Sequence, residues 1–99
     1  MNLNLIISDP ANQDLERIAD YLGANYGLQR SETFISEINE RMKYIASFPY
    51  IGRSREELLP NSRSLSYSRY LIFYQVNETS IEIIRIVSGY QDLTKLFEN

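Results

Sequence analysis

Tyr70-Leu71-Ile72-Phe73-Tyr74-Gln75-Val76, followed by Asn77-Glu78-Thr79-Ser80 and then Ile81-Glu82-Ile83-Ile84-Arg85-Ile86-Val87, is the stretch that decides the fold. Both flanking runs are rich in β-branched and aromatic residues, which fit a pleated surface better than a helix. The polar quartet between them has the composition of a hairpin loop. Just upstream, Arg63-Ser64-Leu65-Ser66-Tyr67 alternates in polarity, so a third strand is expected beside this hairpin.

Nearer the N-terminus the apolar period changes to steps of three and four. Ala11, Leu15, Ile18, Ala19, Leu22 and Tyr26 form one stripe, the mark of an amphipathic helix. Ser8-Asp9-Pro10 supplies an N-cap and an early proline, and Gly27 a natural stop. From about Gln29 to Ser47 the pattern repeats, with Phe34, Ile35, Ile38, Met42 and Ile45 opposite Glu32, Glu37, Glu40, Arg41 and Lys43. Phe48-Pro49-Tyr50-Ile51-Gly52 ends helical character, and a polar connection, Arg53 to Asn61, leads into the strands. Leu3 to Ile7 reads as a short opening strand. In the tail, Leu93, Leu96 and Phe97 share one side of a helical turn. The expected order is β-α-α-β-β-β, an α+β fold in which an antiparallel-rich sheet packs against an N-terminal helical hairpin.

With 99 residues, 43% hydrophobic and 23% charged, the chain is expected to form one domain, residues 1–99. Ten basic and 13 acidic residues give a net charge of −3, a poor balance for direct nucleic-acid binding. Cysteine is absent, which excludes a disulfide framework, a thiolate metal site and a cysteine nucleophile. Histidine is absent too, and with it the side chain whose ordinary pKa lies nearest neutrality. No metal or other cofactor is expected. The first residues carry no basic n-region, and no apolar run approaches the roughly 18 residues of a membrane span. A cytoplasmic protein without a membrane partner is therefore expected.

The charge is uneven. Residues 1–52 hold 4 basic and 7 acidic residues, whereas residues 53–70 hold four arginines against two glutamates. Arg53, Arg55, Arg63 and Arg69 thus read as a local cationic cluster able to face a target. Strand alternation puts Tyr70, Ile72, Tyr74 and Val76 on one face and Leu71, Phe73 and Gln75 on the other; in the next strand Ile81, Ile83, Arg85 and Val87 oppose Glu82, Ile84, Ile86 and Ser88. Neither strand has a clean polar side. Two helices cover only one face, so the second, apolar face requires the tail or a partner chain upon it, and a partner is the favoured cover.

Asp14-Leu15, Ile18, Tyr21 and Gly27, then Phe48-Pro49, Gly52-Arg53, Arg55-Glu56-Glu57-Leu58, Arg63, Arg69 to Tyr74, Ile83 and Arg85 through Asp92-Leu93 to Leu96-Phe97 together resemble the ParE branch of the RelE/ParE toxin superfamily. The resemblance implies the toxin of a type II toxin–antitoxin module. It further implies a ParD-like antitoxin partner that wraps the toxin, and a non-catalytic action on DNA gyrase. On this resemblance Arg53, Arg55, Arg63, Arg69, Arg85 and Tyr90 are the expected target contacts. Tyr70, Ile72, Tyr74, Leu93, Leu96 and Phe97 are the expected antitoxin contacts.

RelE-like relatives instead cut messenger RNA on the ribosome. That chemistry needs a base for the 2′-hydroxyl, an acid for the leaving oxygen and cations around the phosphate. The arginines supply cations, but lysine occurs only at Lys43 and Lys95, leaving Glu56, Glu57 and Tyr90 as substitutes. Adjacent Glu56 and Glu57 do not naturally face each other as a metal or glycosidase pair. Many ParE relatives end the last strand with histidine-glycine and place an arginine before Asp-Leu; this chain reads Ser88-Gly89-Tyr90-Gln91-Asp92-Leu93. A third reading is therefore an interaction module that binds antitoxin without toxicity. Arg63, Arg69 and Arg85 also have a purely structural reading, as partners of Asp14, Glu82 or Asp92.

Overall fold

The computed structural model describes residues 2–98. Strand β1 (Asn4–Ile7) leads into helices α1 (Asp9–Tyr26) and α2 (Leu28–Ser47); β2 (Arg53–Ser54), β3 (Ser62–Tyr67), β4 (Tyr70–Val76) and β5 (Ser80–Val87) follow, and α3 (Tyr90–Lys95) comes last. The sheet order is β1-β5-β4-β3-β2. Pairing is antiparallel except at β1, which lies parallel to β5 in the register Asn4↔Ser80 to Ile7↔Ile83. The α+β architecture and its antiparallel-rich sheet match the sequence expectation. The two-residue β2, hidden in the polar connection, is an addition to it.

Local chemistry sets these boundaries. Ser8 caps α1 by accepting from the Ala11 N–H at 3.1 Å, and Pro10 follows where a missing N–H costs nothing. Gly27, at φ 98°, makes the turn between the helices, a conformation costly for a residue with a Cβ. The α1 and α2 stripes then bury Leu15, Ile18, Phe34, Ile38, Met42 and Ile45 against one face of the sheet. From β4 that face receives Tyr70, Ile72 and Tyr74, and from β5 Ile81, Ile83 and Ile86.

A bulge explains why Ile86 is among them. The β4–β5 register passes from Tyr74↔Ile83 to Phe73↔Arg85, so Ile84 is the extra residue. Simple alternation places Ile86 opposite Ile83; the inserted residue reverses the parity and brings both beneath the helices. Val87 moves the other way, to the far face, where it joins Phe73 and Leu93. The start of α1 clamps this bulge. The Ser8 hydroxyl donates to the Ile84 carbonyl at 2.8 Å, and the Ile86 N–H donates to Asp14 at 2.9 Å.

The placement of Tyr70, Ile72 and Tyr74 corrects their expected role as antitoxin contacts. All three lie in the core beneath the helical hairpin. Tyr74 also uses its polar end internally: its hydroxyl donates to the Pro49 carbonyl at 2.8 Å and accepts from the Gly52 N–H at 3.0 Å. A Cβ on Gly52 would stand 2.6 Å from that hydroxyl oxygen and 2.8 Å from the Ser64 carbonyl oxygen, so only glycine allows this approach.

Candidate functional site on the far face of the sheet

The face turned away from the hairpin carries Phe73 and Val87, with Leu71 and Ile84 partly buried beside them. The tail covers part of it. Leu93 on α3 is fully buried against Phe73 and Val87, and the Phe97 ring meets Phe73 edge-on at 5.8 Å. Leu58 and Leu59 close another side. The favoured cover, a partner chain, is thus replaced over this centre by the chain's own tail. Around it Tyr90, Leu96 and Phe97 remain 43%, 39% and 41% exposed, leaving an apolar and aromatic rim.

Next to that rim lies a buried cation. Arg55 is 7% exposed, although its sequence neighbours read as a solvated loop. Its Nε–H donates to the Ser64 hydroxyl at 2.7 Å, and its guanidinium lies 4.6 Å from the centre of the Tyr90 ring. The ring face offers a favourable electrostatic surface where a carboxylate partner is missing. The Tyr90 hydroxyl in turn donates to Glu57 at 3.1 Å.

The loop holding Arg55 is closed by its own hydrogen bonds. The Ser62 hydroxyl reaches the carbonyls of Arg55 and Leu59 at 2.8 and 2.6 Å, and Glu56 accepts from the Asn61 N–H at 2.6 Å. Glu56 is therefore occupied with the backbone. The hydrogen bond from its own backbone N–H holds the Glu57 carboxyl below the usual range; desolvation opposes it, and Tyr90, Arg55 and Arg53 make smaller contributions in the lowering direction. A carboxylate stabilised in this way is a poor proton acceptor. No group of three or more metal-ligating side chains occurs among the described residues. Tyr90, Leu96 and Phe97 can offer aromatic and apolar contacts to a partner, whereas burial corrects Arg55 from an expected target contact to an internal support of the Tyr90 ring.

The expected target contacts do not form one cluster. Arg53, Arg55 and Tyr90 come together near Glu57. Arg63 is instead part of the helix-side scaffold, donating to the carbonyls of Gly52 and Tyr50 at 2.7 and 3.2 Å beneath the Tyr50 ring. Arg69 sits in the exposed β3–β4 turn. Arg85 forms a bidentate pair with Asp14, at 2.7 and 2.9 Å, which realises its structural reading and removes it from the expected cationic surface. Burial works to raise the Asp14 carboxyl, but hydrogen bonds from Arg85, the Ile86 N–H and Arg17 outweigh it and hold the group below its ordinary range. Reading residues alone missed the buried state of Arg55; its polar neighbours concealed it, and Ser64 two residues into a strand was the available signal.

Residues 5–93 match the family described as ParE toxin of type II toxin–antitoxin system, parDE. Toxin ParE1 of Mycobacterium tuberculosis is 28% identical over 96 residues, covering 96% of this chain and 98% of the relative. Toxin ParE3 of Caulobacter vibrioides is 27% identical over 89 residues, covering 90% and 89%. Among solved structures, a chain of the chromosomal ParDE toxin–antitoxin system from P. aeruginosa superposes with a TM-score of 0.75 at 22% identity, over 89% of this chain and 97% of that one. A chain of the RelBE2 toxin–antitoxin complex from Mycobacterium tuberculosis gives 0.64 at 14% identity, over 90% and 100%. Both structural likenesses establish the shared fold.

Proposed function

The chain belongs to the ParE toxin family of type II toxin–antitoxin systems, and from that membership we propose that it is a non-catalytic poison of DNA gyrase, neutralised by a cognate antitoxin. The observation that carries the binding reading is the far face. An aromatic and apolar rim of Tyr90, Leu96 and Phe97 lies beside a cation held in place by Ser64 and Tyr90. Aromatic anchors of this kind are characteristic of tight protein interfaces. The same face lacks histidine and cysteine, and the Glu57 carboxyl beside Tyr90 is held below its usual range. That combination supports binding over phosphodiester cleavage.

Gyrase is the target that the family resemblance implies, and the antitoxin is the partner that would cover the rim in the silent state. No helix is long and apolar enough to cross a membrane among the described residues. The test is a supercoiling and DNA-cleavage assay with purified gyrase and micromolar toxin. Accumulated cleavage complexes that disappear when the antitoxin is added are expected. Unaffected gyrase together with messages cut on stalled ribosomes would replace the reading with the nuclease one.

A further inference from the structure

On the helix side of the sheet the end of α1, the start of α2 and the β3–β4 turn enclose a cleft of about 160 Å³. Tyr21, Tyr26, Arg30, Ser68, Arg69 and Tyr70 line it. We propose that this cleft binds a peptide segment of a partner protein, seating one carboxylate side chain between Arg30 and Arg69 and an adjoining apolar side chain on the tyrosines.

The first argument is charge. Ion pairing among the described residues engages Arg17 and Arg85 with Asp14, and Lys43 with Glu40. Arg41, Arg55 and Arg63 each lie over a tyrosine ring. Arg30 and Arg69 take part in neither kind of contact among the described residues, although Arg30 lies beside the Tyr67 hydroxyl that donates to Glu37, and both line the same small cleft. A carboxylate seated between two guanidinium groups is held by charge-assisted hydrogen bonds from both. Helix α2 adds to the positive field. It starts at Gly27 without a side-chain cap and has no acidic residue in its first turn. The sequence instead places Arg30 there, a cation at the end of the helix that favours anions.

The second argument is shape and surroundings. Pockets for whole small molecules run to roughly 300–1,000 Å³, so this cleft accommodates one side chain and not a nucleoside. Tyr21 and Tyr26 meet edge to face at 6.4 Å and, with Leu28, leave the hairpin tip 55–73% exposed. Such a surface fits an apolar neighbour of the carboxylate. A polynucleotide is disfavoured because residues 1–52, which build the surrounding hairpin, hold 7 acidic against 4 basic residues. The site is independent of the gyrase reading, since it uses none of the far-face residues.

The test is a titration of the full chain, followed through the Nε–H NMR signals of Arg30 and Arg69. The probes are a capped Phe-Glu-Leu peptide, its Phe-Gln-Leu counterpart, inorganic phosphate and a short single-stranded oligonucleotide. The acidic peptide should shift both arginine signals at millimolar concentration, and the glutamine peptide should bind about tenfold more weakly, the size of one lost charge-assisted contact. Arg69→Gln, at an exposed turn position, should lower affinity for the acidic peptide by a similar factor while leaving the backbone spectrum elsewhere unchanged. Equal binding of the two peptides, no shift with the acidic one, or stronger binding of phosphate or the oligonucleotide would each overturn the proposal. Because the wild-type signals report directly, the result does not depend on how well a variant folds.

Discussion

The two faces of the sheet are made of similar residues but serve different purposes. Beneath the hairpin, Phe34, Ile38, Met42, Ile72, Ile81 and Ile83 form one continuous core, and polar groups there meet their partners. On the far face, Phe73, Val87 and Leu93 form a smaller cluster whose edges stay open. The contrast locates stability on the first face and supports the proposal that the second serves recognition, because an incompletely covered apolar rim gains most when a partner removes it from water.

Ile38→Ala should produce the largest loss, about 4 kcal/mol in denaturant unfolding, because the site is closed on every side and cannot collapse around the missing atoms. Asp14→Ala should cost roughly 3 kcal/mol, near the low end for a broken buried pair, since Arg85 keeps some access to water. Its pH signature is specific. The folded-state pKa of Asp14 is depressed, so the unfolded chain binds its proton more readily. The stabilisation is fully present above pH about 4 and is lost as pH falls through the lower folded-state value. Asp14→Asn should flatten that acid limb.

On the far face the effects should be smaller. Leu93→Ala should cost about 2 kcal/mol, because a short terminal helix can detach locally without opening the main core. Near-amides of α3 should then exchange with solvent faster while those of α2 do not. A loss equal to that of Ile38→Ala would show that the two faces are one cooperative core. Tyr90→Phe should leave Tm within roughly 2 °C yet weaken target inhibition, measured as the toxin concentration that traps half of the gyrase complexes. An unchanged inhibition curve would remove Tyr90 from the contact surface.

Much of the architecture is visible in residue order because each helix has a strong stripe and a clear stop. Ser8-Asp9-Pro10 and Gly27 are local signals, and the structure uses them locally. The site is less visible because it depends on events that leave little local trace. One inserted residue at Ile84 exchanges the faces of Ile86 and Val87, and nothing in an unbroken apolar run marks where a bulge falls. The arginines between residues 53 and 70 look alike in composition. Only tertiary contact separates Arg55, buried under Tyr90, from Arg63, which ties down Tyr50 and Gly52, and Arg69, which stays in a turn. Tyr70, Ile72 and Tyr74 were legible as one face, but strand periodicity alone does not say which face the helices choose.

The parallel pairing of β1 with β5 bears on the order of events during synthesis. Asn4 finds its partner Ser80 only after most of the chain has been made. The amphipathic hairpin therefore leaves the ribosome well before the sheet that buries its apolar stripe, and the Ser8 and Asp14 clamps remain without their β5 groups until then. Arg55 likewise waits for Tyr90, one of the later residues to emerge. A nascent chain of this topology completes its far face only after α3 has left the ribosome, later than the hairpin that will cover the other face.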